Sequence, residues 1–285
     1  MFKKEFARRN PAVAGIFYPE NSQELSARIE NLLARAQPIS ALGNLQILLV
    51  PHAGIDYSGA VAAAGFKQMK KDAFSKIILL GISHHHWFNY AAVFPTGLWE
   101  TPLGEVKIAD NLINKLISEK EGIIFDPLPH QEEHCLEMEL IFLQKVLSNF
   151  QIAPILLSQA EENLIGSLAK KIVNLLDSQT LLVISSDLSH YPNFRVANIV
   201  DQQTISAILT GKKEIFEQTL KKIENQHYPG LDTCACGENA IKVGLKVAEL
   251  SQNIVFKKIK YANSGDITEE KERVVGYAAI GGWKI

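Results

Sequence analysis

Four short runs built only of large aliphatic residues, at 47–50, 77–80, 155–157 and 181–184, constrain this chain more than any other feature. A strand with one wet face alternates apolar and polar residues, whereas a run without alternation is a strand buried on both faces, the condition of a parallel sheet covered by helices. Helical patterns lie between them, at 60–69 after the first run and 161–176 after the third. A strand–helix–strand unit crosses over right-handed and sets both strand ends along one edge of the sheet. The sequence predicts an α/β fold with a mixed, mostly parallel central sheet and helices on both faces.

The remaining elements fit around that frame. Asn21 with Glu24 three residues later resembles a capping box, and Leu25, Ile29, Leu32, Leu33 and Ala36 recur at helical spacing until Pro38. The stretch 9–19 before it is irregular but carries Phe17 and Tyr18, so it should pack on the core. Further helices are expected at 110–117, 132–147, 200–209, 213–223 and 238–250, and further strands at 92–94, 104–108, 255–261 and 274–280. No repeat, low-complexity segment or linker divides the sequence, which favours a single domain over 1–285.

Composition removes several function classes. Apolar residues make up 47% and charged residues 21%, with a net charge of −2, so a core is assured and no general attraction to nucleic acid or an anionic membrane exists. Residues 1–9 hold no apolar core of a signal peptide, and no run approaches the ~18 residues of a membrane helix, so the expected location is cytoplasmic. Three cysteines, Cys135, Cys234 and Cys236, make an odd set better read as reduced thiols than as a disulfide framework. The Gly-rich nucleotide signatures and the His-Glu-x-x-His motif are absent from the sequence.

Chemistry-bearing residues follow the strands. His52 lies just past the first run, His84, His85 and His86 past the second, and Asp187 and His190 past the fourth. Cys236 stands before the helix at 238–250, where helix partial charge favours a thiolate. The carboxyl edge of a parallel sheet is where α/β proteins place their sites. Imidazole, thiolate and carboxylate are transition-metal ligands, and two histidines with one anionic ligand leave coordination positions open for substrate. A rival assignment makes Cys236 a nucleophile, His190 its base and Asp187 the orienting group, which leaves His52 and His84 idle. His134 and Glu137, three apart at a helix start, either share a ligand or pair with one another. For Cys135 and Cys234 core packing is the expectation, with a Cys234–Cys236 soft-metal pair as a weaker one.

The segments 14–19 (Ala-Gly-Ile-Phe-Tyr-Pro), 51–54 (Pro-His-Ala-Gly), 81–85 (Gly-Ile-Ser-His-His), 133–138 (Glu-His-Cys-Leu-Glu-Met), 185–190 (Ser-Ser-Asp-Leu-Ser-His) and 235–237 (Ala-Cys-Gly) occur in this order. Together they resemble the Memo-like family, whose microbial members are called AmmeMemoRadiSam system protein B, over nearly the whole chain. The resemblance implies one α/β domain similar to class III extradiol non-haem iron dioxygenases. It implies metal positions at His52, His84 and Cys236, with Asp187 and His190 in the same cleft. It further implies Fe(II) or Cu with redox chemistry, capture of peptide segments in some members, and AMMECR-type and radical-SAM proteins as partners.

Two departures stand out. Ile82 replaces the family's usual proline before Ser83, and cysteine stands where the dioxygenases use a carboxylate ligand, so their activity does not transfer with the fold. The expected function is a metal-dependent oxidoreductase acting on an unknown small molecule or peptide. His190 and Asp187 would handle a proton, with His134 as a further catalytic candidate. The alternatives are a binding module that captures a peptide or partner protein, and a thiol hydrolase. Phe17, Tyr18, Trp87 and Phe88 are expected at the rim, His85 on the cleft wall and His86 in solvent.

Overall fold

The computed structural model describes residues 8–40 and 42–285; all but the last two residues of the 1–9 stretch, read above as lacking a signal-peptide core, lie outside the described residues. In chain order the elements are β1 (Arg8–Arg9), α1 (Ser22–Arg35), β2 (Asn44–Val50), α2 (Ile55–Phe66), β3 (Lys76–Ile82), β4 (Ala91–Val93), β5 (Leu98–Thr101), β6 (Gly104–Ile108), α3 (Asp110–Leu116) and β7 (Ile123–Phe125). They continue with α4 (Cys135–Val146), β8 (Gln151–Leu157), α5 (Glu162–Val173), β9 (Thr180–Ser185), α6 (Phe194–Leu209), α7 (Lys213–Glu224), α8 (Glu238–Ser251), β10 (Ile254–Asn263) and β11 (Gly276–Lys284).

The four aliphatic runs became the centre of the sheet. β8, β3, β9 and β2 lie side by side and parallel, with Leu79 opposite Pro154 and Val183, and Leu49 opposite Ile184. Their central residues are sealed from water, as unalternated runs require. The order runs β1-β5-β6-β8-β3-β9-β2-β11-β10, with β4 and β7 joined at β8. Antiparallel pairs are β2 with β11, β10 with β11, β5 with β6, and β4 with β8, which makes the open sheet mixed.

Helices cover both faces, and two close contacts show it. Gly65 of α2 sits over Val50, while Gly244 of α8 sits over Ile184. Ile184 is the register partner of Leu49, so it shares a face with Leu49 and not with Val50. α2 and α8 therefore lie on opposite sides. α1 and α4 pack with α2, and α5 and α7 with α8, around one continuous apolar core.

Some helix starts differ from expectation. α1 begins as read, with the Asn21 side chain accepting from Gln23 N and Glu24 N at 3.0 Å. α2 begins at Ile55 instead of residue 60, because Ile55 N donates to Phe17 O (2.8 Å) and Gly59 fits inside the helix against Ile55 and Leu32. α4 begins at Cys135 instead of residue 132: Glu133 folds back to accept from Cys135 N at 3.0 Å, which leaves His134 at the cap and outside the helix. The short pairs of β1 and β7 carry no pattern long enough to read. Among the described residues no helix is long and apolar enough to cross a membrane.

Candidate functional site

Parallel register delivers the site. Val50 and Ser185 are partners at the ends of β2 and β9, and His52 and Asp187 each follow two residues later. β3 ends at Ile82, and His84 follows at the same distance. Gly81 permits this, since a Cβ there would fall 2.7 Å from Cys135 Sγ and 2.8 Å from the Leu136 side chain. Cys236 arrives from the other end of the chain on the turn into α8. Gly237 lets that turn sit on the β9 terminus, because its Cβ would lie 2.6 Å from Ser186 Cβ.

Three donor atoms converge. His52 Nε2 is 3.3 Å from Cys236 Sγ, and one ligand atom from each of His52, His84 and Cys236 lies within 4.8 Å of the others. The His52 and His84 rings meet edge-on with centroids 5.2 Å apart. His134 joins them, 4.5 Å from the His84 ring and 5.3 Å from the His52 ring. His84, Glu133 and His134 form a second, overlapping group within the same 4.8 Å limit.

Each histidine is held from behind. His52 Nδ1 is 2.8 Å from Ser185 Oγ, which also meets Glu139 Oε1 at 2.7 Å and Cys135 O at 3.0 Å. His84 is gripped twice by Glu133: its backbone N donates to Oε2 at 2.6 Å and its Nδ1 lies 2.9 Å from Oε1. Both rings are committed at Nδ1, so Nε2 is left for the centre. The residues fit a metal by donor type and by orientation, with two imidazole nitrogens and one sulfur turned toward a common point.

Burial controls the protonation of the site. It pushes the His52 imidazole well below its usual range, with the charges of His134 and His84 adding to the effect. It lowers His134 and His190 to about 4 each. Asp187, fully enclosed, is pushed up to about 7, although His52 N (2.9 Å) and Ala53 N (3.4 Å) donate to its Oδ1. Cys236 is also pushed up, by burial first and the Asp187 carboxyl second, so the expected thiolate-favouring helix start is outweighed. The Asp187 N–H donates to the sulfur at 3.3 Å.

Other expected residues are placed as follows. His190 is fixed by its backbone, donating to Thr233 O and accepting from Asp232 N, while its Nε2 is buried without a hydrogen-bond partner. Among the described residues the imidazole that meets the Cys236 sulfur is His52, and Asp187 bonds to backbone N–H groups instead of His190. Glu137 does not pair with His134. It accepts from Arg9, from the Tyr18 hydroxyl, and from Ala12 N (2.7 Å) and Val13 N (3.1 Å), and so anchors the arm at 9–18. That arm lays Phe17 against His134 with rings 4.8 Å apart. Tyr18 is buried with Glu137 and is no rim residue, whereas Trp87 is 83% exposed and Phe88 stacks on Tyr90. His85 and His86 are exposed, and Cys135 and Cys234 are core thiols.

Glu133, Ser185 and Glu139 were missed as supports. Serine in a strand, and glutamate in or just before a helix, carry no local signal of what stands opposite them in space.

A family model described as Memo-like protein matches residues 9–281. The chain belongs to the Memo-like family. It is 32% identical over 275 residues to a MEMO1 family protein of Thermoplasma volcanium, covering 95% of this chain and 97% of that one. A MEMO1 family protein of Thermoplasma acidophilum is similar at 32% (96% and 98% covered), and one of Caldivirga maquilingensis at 30% (97% and 99%). Among solved structures, an uncharacterized protein of Escherichia coli K12 is similar with a TM-score of 0.50 and 10% identity, covering 84% of this chain and 99% of that chain. At that identity the likeness speaks to the α/β fold alone.

Proposed function

We propose that this Memo-like protein is a metal-dependent redox protein in which His52 Nε2, His84 Nε2 and Cys236 Sγ hold Fe(II) or Cu. The observation that carries it is the paired commitment of both Nδ1 atoms, to Ser185 and to Glu133, which leaves two imidazole nitrogens facing one sulfur. Two imidazoles and a thiolate suit these metals, and with three protein ligands the bound ion would offer open positions for oxygen or a substrate atom. The Asp187 N–H stabilises the sulfur in its ionised form. His190 Nε2, buried and unpartnered, is the atom suited to take or give a substrate proton, and the Asp187 carboxyl, poised near neutrality, can release one. His134, neutral above its lowered range, can accept a hydrogen bond beside them.

A second reading, capture of a peptide or partner protein, is favoured by large apolar side chains left in solvent on two loops and on the first turn of α2. Ile16 is 78% exposed and Tyr57 46%, in addition to Trp87. The thiol-hydrolase assignment loses ground, since the base nearest Cys236 is His52.

The test is metal analysis of protein purified without chelator. About one iron or copper per chain in the wild type, lost in a Cys236→Ala, His52→Ala double variant, is the expected result. Wild-type protein that holds no metal and takes up neither ion would overturn the proposal.

A further inference from the structure

Glu133 is 1% exposed, yet no Lys or Arg side chain among the described residues pairs with its carboxylate. Arg9 comes close but spends its guanidinium on the Glu137 carboxylate and on the backbone carbonyls of Glu133 and His130. The Glu133 oxygens instead collect His84 N (2.6 Å), His84 Nδ1 (2.9 Å), Cys135 N (3.0 Å) and His134 Nδ1 (3.2 Å). Three N–H donors, two of them from the backbone, hold this buried carboxylate in its ionised form, so a fixed negative charge stands directly behind His84.

Resting on the metal reading above, we infer that Glu133 is the positioning residue of the centre. Its carboxylate turns His84 so that Nε2 faces His52 and Cys236, and it supplies the negative charge that a divalent ion with one thiolate ligand leaves unbalanced. The arithmetic is direct: +2 from the ion and −1 from the sulfur leave +1, which Glu133 neutralises. Ser185, which holds His52, is neutral and does not share this task. The double grip on backbone and ring of one residue fixes the loop after β3 as well as the tautomer.

Co(II) titration followed by its visible absorption tests this in wild type, Glu133→Gln and Glu133→Asp. Glutamine keeps the volume and removes the charge. The expected result is Co(II) affinity reduced about 10–100-fold with altered ligand-field bands, a loss of binding that exceeds any change in the metal-free unfolding midpoint. Aspartate restores the charge at shorter reach and should bind between the two. A merely structural role gives the reverse pattern, with a lowered metal-free midpoint and unaltered Co(II) affinity, and would overturn the inference. Should the glutamine protein fail to fold, wild-type affinity and bands in the aspartate variant overturn it equally. Wild-type protein that takes up no Co(II) removes the metal centre itself, an outcome distinct from the others.

Discussion

The two histidines of the site stand on flanks of opposite character. His52 is sealed, and behind it lie Ser185 and then Glu139, a fully buried carboxyl that burial pushes far above its usual range and so keeps neutral. His84 leaves 24% of its side chain in solvent, and behind it lies a charged layer: Glu133, then the buried Arg9–Glu137 pair. The seven residues 133–139 supply all three carboxyls, so sequence proximity does not set their charge. The donors opposite each one do: Glu139 meets a single hydroxyl, Glu133 three N–H groups, and Glu137 a guanidinium with three further donors.

The contrast can be broken first on the charged flank. Arg9→Met should destabilise the metal-free protein by about 3–5 kcal/mol, since Glu137 would be left buried and unpaired; urea denaturation reads it directly. A loss under 1 kcal/mol would show that the arm is held by other contacts.

On the neutral flank, Ser185→Ala leaves the His52 Nδ1–H and Glu139 Oε1 without a partner, at about 1–3 kcal/mol each. The flanks should also respond differently to acid. His130, whose carbonyl accepts from Arg9 Nε, is lowered to about 3 by burial, so its neutral form contributes stability that is complete above pH ~6.5 and lost as pH falls toward 3. Glu139, raised, contributes in the opposite sense, with stability present below its unfolded value and lost as pH rises. In His130→Gln the acid-side loss disappears, and the difference from wild type should shift in favour of the variant by about 2 kcal/mol between pH 6.5 and 5. Parallel stability curves would exclude it. The smallest effect belongs to Glu139→Gln, which replaces one neutral group by another and should stay within about 1 kcal/mol at neutral pH.

Legibility followed the same division. The strands β2, β3, β8 and β9 were readable because burial on both faces removes every polar residue from a run, and His52, His84, Asp187 and His190 were readable because they follow such runs directly. Cys236 became legible through its helix start and family motif. The supports were not. Glu137 at i+3 from His134 looked like its partner, but Arg9 and Tyr18, more than a hundred residues earlier, claimed it. β1 is two residues long and β7 three, too short for periodicity to register, and the α4 start moved because a side chain competed for a backbone N–H.

The arm at 9–18 has a consequence for how the chain matures. Arg9 leaves the ribosome first among the site's supports, yet its carboxylate partner lies 128 residues downstream, and Cys236 is 184 residues beyond His52. Until both have emerged, the arm has nothing to close against and the thiol has no imidazole beside it. The centre is therefore assembled late in synthesis, by contacts between distant parts of the chain, and a nascent chain stalled before Cys236 would hold His52 and His84 without their sulfur.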